Sequence, residues 1–134
     1  MTNKIFAGID EVGRGCLAGP VVSCAIILKK SINKKVLKDS KTIPFKNRIT
    51  IAEHIKKNSW YAIGSASVNE IDKYNIFNAT LLSMERAVKK LKKKPHLFLI
   101  DGTHAPKKLK NSKTIIRGDQ KIKCISAASI VAKV

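Results

Sequence analysis

The sequence predicts a mixed α/β domain, a five-stranded sheet with helices on both faces. Three observations carry this. Short β-branched apolar runs alternate with segments of helical period. Three strand-like runs precede one strong amphipathic helix, after which come strand, loop, strand and helix. The chain has 134 residues, one domain's worth, and its 44% hydrophobic content suffices for a core.

The elements follow in chain order. Residues 5–10 form an apolar run that ends in acid, as a buried strand would. Gly13-Arg14-Gly15 and then Gly19-Pro20 interrupt regular structure. Val21–Leu28 reads as the second strand. Residues 44–57 read as a helix with Ile51 and Ile55 on one face, and residues 60–68 as the third strand. The clearest helix spans 76–93, where Phe77, Leu81, Met84, Val88 and Leu91 make one apolar stripe. Its lysine-rich end suits the negative pole of the helix dipole. Leu97–Asp101 is a further apolar run ending in acid, 114–117 a short strand, and 122–134 a small-residue apolar helix. A helix so apolar needs a neighbour to cover it.

Lys and Arg number 27 against 9 acids, a formal charge of +18. Such a surplus suits a polyanionic partner, most simply nucleic acid. Three cysteines without Cys-x-x-Cys or Cys/His zinc spacing make a disulfide framework improbable and fit a reducing cytoplasm. The longest apolar stretch is too short for a membrane span, and acids at positions 10 and 11 do not suit a signal peptide.

With so few acids, each can be weighed. Asp10 and Glu11 end the first strand, Asp101 ends a later one, and Asp119 follows Gly118 before the last helix. Strand ends in open α/β sheets gather at one edge, where ligands bind. If the first and fourth strands are adjacent and parallel, Asp10 and Asp101 come close together. Crowded carboxylates repel, and a divalent cation removes the conflict. Oxygen-only donors suit Mg²⁺ or Mn²⁺, and a pair of such ions is equipped to hydrolyse a phosphodiester. Taken singly, each acid could instead cap the turn or helix that follows it.

Longer motifs bear on this choice. Gly8-Ile9-Asp10-Glu11-Val12-Gly13-Arg14-Gly15, continued by Leu17-Ala18-Gly19-Pro20-Val21-Val22, resembles the opening signature of type 2 ribonucleases H, the ribonuclease HII family. Asp39-Ser40-Lys41, then Glu70-Ile71-Asp72 with Tyr74-Asn75-Ile76-Phe77-Asn78-Ala79-Thr80, resemble its next blocks. Leu99-Ile100-Asp101-Gly102, Arg117-Gly118-Asp119 and the run from Ser126 to Val134 complete the series in order.

The resemblance implies a ribonuclease H-like fold in a single catalytic domain over residues 1–134. It implies an endonuclease that degrades the RNA strand of RNA–DNA hybrids and cuts 5′ to ribonucleotides embedded in DNA. By carry-over, Asp10, Glu11, Asp101 and Asp119 are the metal-binding catalytic carboxylates, with Mn²⁺ or Mg²⁺ as cofactor. Gly13, Arg14 and Gly15 match the loop that senses the 2′-hydroxyl, and Asp39, Ser40 and Lys41 a substrate-binding block. The family continues past the position of Val134, and no residue here matches its later tyrosine at the RNA–DNA junction. The expectation is therefore a C-terminally truncated domain, monomeric and cytoplasmic, that draws on the missing segment for part of its substrate platform. An inactive remnant acting only as a basic nucleic-acid binder is the alternative. His104, three residues after Asp101, reads as a loop histidine in solvent.

Overall fold

The structure is a computed structural model that describes residues 5–13, 19–39 and 45–133. Three strands come first: β1 (Phe6–Val12), β2 (Val21–Leu28) and β3 (Ser59–Ala66). Helices α1 (Lys34–Asp39) and α2 (Phe45–Lys57) lie between β2 and β3. The long helix α3 (Val68–Lys90) leads to β4 (Leu97–Asp101) and β5 (Ser112–Ile115), followed by α4 (Gly118–Lys121) and α5 (Lys123–Lys133).

The sheet order is β3-β2-β1-β4-β5. β2 runs antiparallel to both β1 and β3, whereas β4 runs parallel to β1 and β5 parallel to β4. A parallel partner for β1 requires a crossover, and α3 supplies it. β1 therefore lies at the centre, flanked by one antiparallel and one parallel neighbour.

Side-chain alternation along the strands splits the core in two. Ala7, Ile9, Ala25, Ile27, Ala62 and Ile100 meet Met84, Ala87 and Leu91 of α3. Cys24, Ile26 and Leu99 face the other way, onto Leu37, Ile51, Ile55 and the buried side of α5. The neighbour that α5 needs thus lies within the chain: Ala127 and Ala128 are fully buried.

Two glycines set how closely the helices approach. A Cβ at Gly8 would stand 2.3 Å from the Cys124 carbonyl carbon of α5, and one at Gly64 2.3 Å from the Ala87 amide of α3. On the α3 side the buried hydroxyls of Ser23 and Ser83 pair at 2.5 Å. Cys24 and Cys124 are free, buried thiols, and burial pushes Cys24 up to about 12. Among the described residues no helix is long and apolar enough to cross a membrane.

The expected elements are present, with shifted ends. β3 stops at Ala66, and Val68 opens α3. A capping box explains the change: the Ser67 hydroxyl accepts from the Glu70 amide while the Glu70 carboxylate accepts from the Ser67 amide. The expected start at Ile76 is real but internal. Asn75 has φ 70° and ψ 166°, and its side chain accepts from the Asn78 amide, so a second helical segment begins after it. α3 ends at Lys90 rather than 93, β5 lies at 112–115 rather than 114–117, and α1 has no counterpart among the expected elements. Pro44, the expected start of the second helix, lies outside the described residues.

Candidate active site

The site grows from the parallel pairing of β1 and β4. The register sets Gly8 opposite Leu99 and Ile9 opposite Ile100. One step on, Asp10 and Asp101 leave the two strands side by side on the face that carries α5. Strand polarity brings the two ends together, and residue parity puts both acids on one face.

Asp10 is only 6% exposed, the one charged side chain among the described residues that is buried. Its Oδ1 accepts from the Glu11 amide at 2.8 Å. Burial, and then the charges of Asp101 and Glu11, push its carboxyl up to about 8. The Glu11 amide and the Ser129 hydroxyl of α5 oppose that rise without cancelling it.

Asp101 is tied down differently. Its Oδ1 accepts from the Gly118 amide at 2.7 Å, which fixes the start of α4 against the end of β4. Arg117, just before, takes a left-handed conformation with φ 55°. The same turn carries Asp119 in the first turn of α4. Asp119 lines a groove of about 110 Å³ with Arg48 of α2 and Ser126, Ser129 and Lys133 of α5. Ser129 thus touches both Asp10 and the groove of Asp119.

Glu11 has the opposite parity and points to the α3 side. With Asp101 it lines a second cleft of about 160 Å³, walled by Phe77, Thr80 and Met84 of α3 and closed by His104. The His104 ring stands edge-on to Phe77, centroids 4.9 Å apart, and its Nδ1 pairs with the Thr103 hydroxyl at 2.8 Å. His104 is exposed but borders this cleft, so it is closer to the acids than a plain solvent histidine. Its position three residues past Asp101 is the available signal. Ser129 carries no separate signal within the Ser/Ala-rich run.

The four acids are therefore arranged as a central pair with one acid on each side. Asp101 and Glu11 are both near enough to Asp10 to act on its charge. Asp119 is linked to them through α4 and Ser129. Among the described residues no three carboxylate, imidazole or thiol side chains stand together as a ready cage for one ion. The donor chemistry of the central pair nevertheless fits a hard divalent cation: all its donors are oxygens, and a buried carboxylate raised by its neighbours gains most from a positive charge. Gly13 follows the end of β1 with φ 107°. Arg14, Gly15, Ser40 and Lys41 lie outside the described residues, and Asp39 is placed only as the last residue of α1.

Comparison with known proteins agrees with this architecture. Residues 7–134 match the sequence profile of the family described as Ribonuclease HII. The chain is 59% identical over 133 residues to the ribonuclease HII of Pelagibacter ubique, covering 98% of this chain and 71% of that protein. It is 47% identical over 131 residues to that of Macrococcus caseolyticus, covering 98% of this chain and 49% of that protein. The crystal structure of ribonuclease H2 from Pyrococcus horikoshii OT3 superposes with a TM-score of 0.81 at 25% identity, over 96% of this chain and 70% of that one. The chain thus spans between about half and seven-tenths of the length of these relatives. The ordered acids, the central parallel strand pair and the profile match over nearly the whole chain lead to one conclusion: the chain belongs to the ribonuclease HII family of enzymes.

Proposed function

We propose that this chain is a metal-dependent endonuclease that hydrolyses the RNA strand of RNA–DNA hybrids and cuts 5′ to a ribonucleotide embedded in DNA. The observation that carries the reading is the pairing of buried Asp10 with Asp101 at the ends of adjacent parallel strands. Family membership supports the ribonuclease activity.

In this reading Asp10 and Asp101 hold Mg²⁺ or Mn²⁺, with Glu11 and Asp119 completing the donor set from either side. Bound there, two such ions supply a nucleophilic water at neutral pH and offset charge on the leaving oxygen. The chain's own residues do the rest. The Gly118 amide holds Asp101 in one orientation, and Ser129 holds Asp10. α5 shields Asp10 from bulk water, which strengthens its interaction with any cation. Lysines and arginines bind the phosphates of the duplex. Gly13, with Arg14 and Gly15, meets the sugar that carries the 2′-hydroxyl, the group that distinguishes RNA from DNA. Asp39, Ser40 and Lys41 contact the substrate nearby. The products carry a 5′-phosphate and a 3′-hydroxyl.

The test is cleavage by the purified chain of two duplexes, a uniform hybrid and DNA with one ribonucleotide, in Mn²⁺ and in Mg²⁺. Asp101→Asn is expected to lower the cleavage rate on the order of 10³-fold. Binding of the hybrid should not weaken, because phosphate contacts come from the basic side chains. Cutting of the hybrid alone would assign single-ribonucleotide recognition to the part of the relatives that this chain does not span. Binding with no cutting in either metal would favour a basic nucleic-acid binder. Equal loss of binding and cutting in a folded Asp101→Asn would refute the assignment of that carboxylate.

A further inference from the structure

A further groove lies away from the acids. It measures about 560 Å³ and is lined by Ile5, Phe6, Ile27, Leu28 and Trp60, with Lys29, Lys30 and Lys93 around them. It forms where β1 begins, β2 ends and β3 begins, so it lies at the opposite end of the sheet from Asp10 and Asp101. Four steps along β1 separate Phe6 from Asp10, about 13 Å of strand.

Its composition is specific. Lys93 Nζ stands 4.1 Å and Lys29 Nζ 4.9 Å from the centre of the Trp60 ring. Phe6 is 43% exposed beside them. The lining thus joins two aromatic side chains, Trp60 and Phe6, an aliphatic floor and three cations, and it contains no acid. A ligand that satisfies all three needs a flat apolar face with anionic groups next to it.

We propose that this groove binds single-stranded nucleic acid, with an unpaired base against Trp60 and the adjoining phosphates on Lys29, Lys30 and Lys93. A groove of this volume is within the range of small-ligand sites and admits one nucleotide. Base–aromatic stacking and lysine–phosphate contacts together are the usual chemistry of single-strand binding. A base that stacks on the ring displaces a lysine ammonium from it, and the phosphate takes up that ammonium. A blunt duplex keeps its bases stacked inside and offers only phosphates. An acidic peptide offers carboxylates but leaves the ring and the floor uncovered. The proposal does not depend on cleavage, because none of these residues belongs to the acid site.

Trp60 is the only tryptophan in the chain, so intrinsic fluorescence reads this groove alone. The full chain would be titrated with a short oligothymidylate, with a blunt DNA duplex at equal phosphate, and with polyglutamate. Saturable quenching by the oligothymidylate, with little change for the other two, is the expected result. Lys29→Ala/Lys93→Ala should raise the Kd for the oligothymidylate about tenfold, whereas Lys107→Ala/Lys108→Ala, which removes the same charge from another exposed site, should not. Circular dichroism would confirm that both variants fold. Equal quenching by polyglutamate, equal quenching by the duplex, or equal weakening by the two variants would overturn the proposal, as would no quenching at all.

Discussion

The Asp10 carboxyl is raised in the metal-free chain because three effects coincide at it. It is buried, Asp101 faces it from the next strand, and Glu11 follows it. Its folded value of about 8 lies above the ordinary 3.8. Between these two values the folded chain keeps a proton that the unfolded chain releases. The resulting stability is full below pH 3.8 and is lost as the pH rises towards about 8. At about 1.4 kcal/mol per unit, the whole window amounts to several kcal/mol. Melting in a chelator should therefore show Tm falling from pH 5 to pH 8 in the native sequence and a much flatter profile in Asp10→Asn. At pH 8 the variant should be the more stable of the two. Parallel pH profiles for the two proteins would show that Asp10 is not raised. The presence of all four acids is plain from the sequence. That the Asp10 carboxyl is the raised one is not, because burial and the nearness of Asp101 arise only when β4 docks beside β1.

Among the elements, α3 combines a legible signal with a hidden one. Its apolar stripe from Phe77 to Leu91 is legible because packing on one face imposes a helical period. Its first two turns are not, although Ser67 and Glu70 have the spacing of a capping box, because the alternation of β3 runs on to Val68. Local hydrogen bonds at the cap end the strand where periodicity does not. The Arg86 guanidinium then joins the two segments by pairing with Glu70 across the kink, and it holds that carboxyl down at about 2. The distance between α3 and the sheet rests on Gly64. A methyl there would meet the Ser83 carbonyl oxygen and the Ala87 amide at 2.3 Å each, and both are backbone atoms that cannot yield separately. Gly64→Ala should cost about 1–3 kcal/mol, the usual range for overpacking. Gly19→Ala, with nothing within 4 Å of the added carbon, serves as the comparison. Urea denaturation of both variants is the check, and equal midpoints would mean that α3 can move away freely.

Over the whole molecule, charge and topology divide the work. A charge of +18 is spread over a domain whose few acids include a central pair, of which Asp10 is buried. In the proposed function, attraction for the duplex belongs to the surface lysines, and selectivity for cations belongs to the end of β1. Binding of a hybrid by Asp101→Asn should therefore fall linearly with salt on logarithmic axes, by about 0.9 per phosphate neutralised. A flat response would show that the surplus charge plays no part in binding. The relatives are longer than this chain, so the full-length Pelagibacter ubique protein is the natural comparison in each assay.

The sequence by itself determined the alternation of strands and helices, the basic surplus, the order of the acid-bearing motifs and the family to which they point. All of these are encoded by neighbours in the chain, through periodicity, composition and spacing. Tertiary structure decided the rest. It chose β4 as the parallel neighbour of β1, so that residues 91 positions apart share one face. It brought the Gly118 amide to Asp101 and Ser129 to Asp10, and placed Lys93 over Trp60. Contacts of this kind depend on strand order and on the closeness of helix to sheet, which no local pattern records. They are also what turns separate acids into a site.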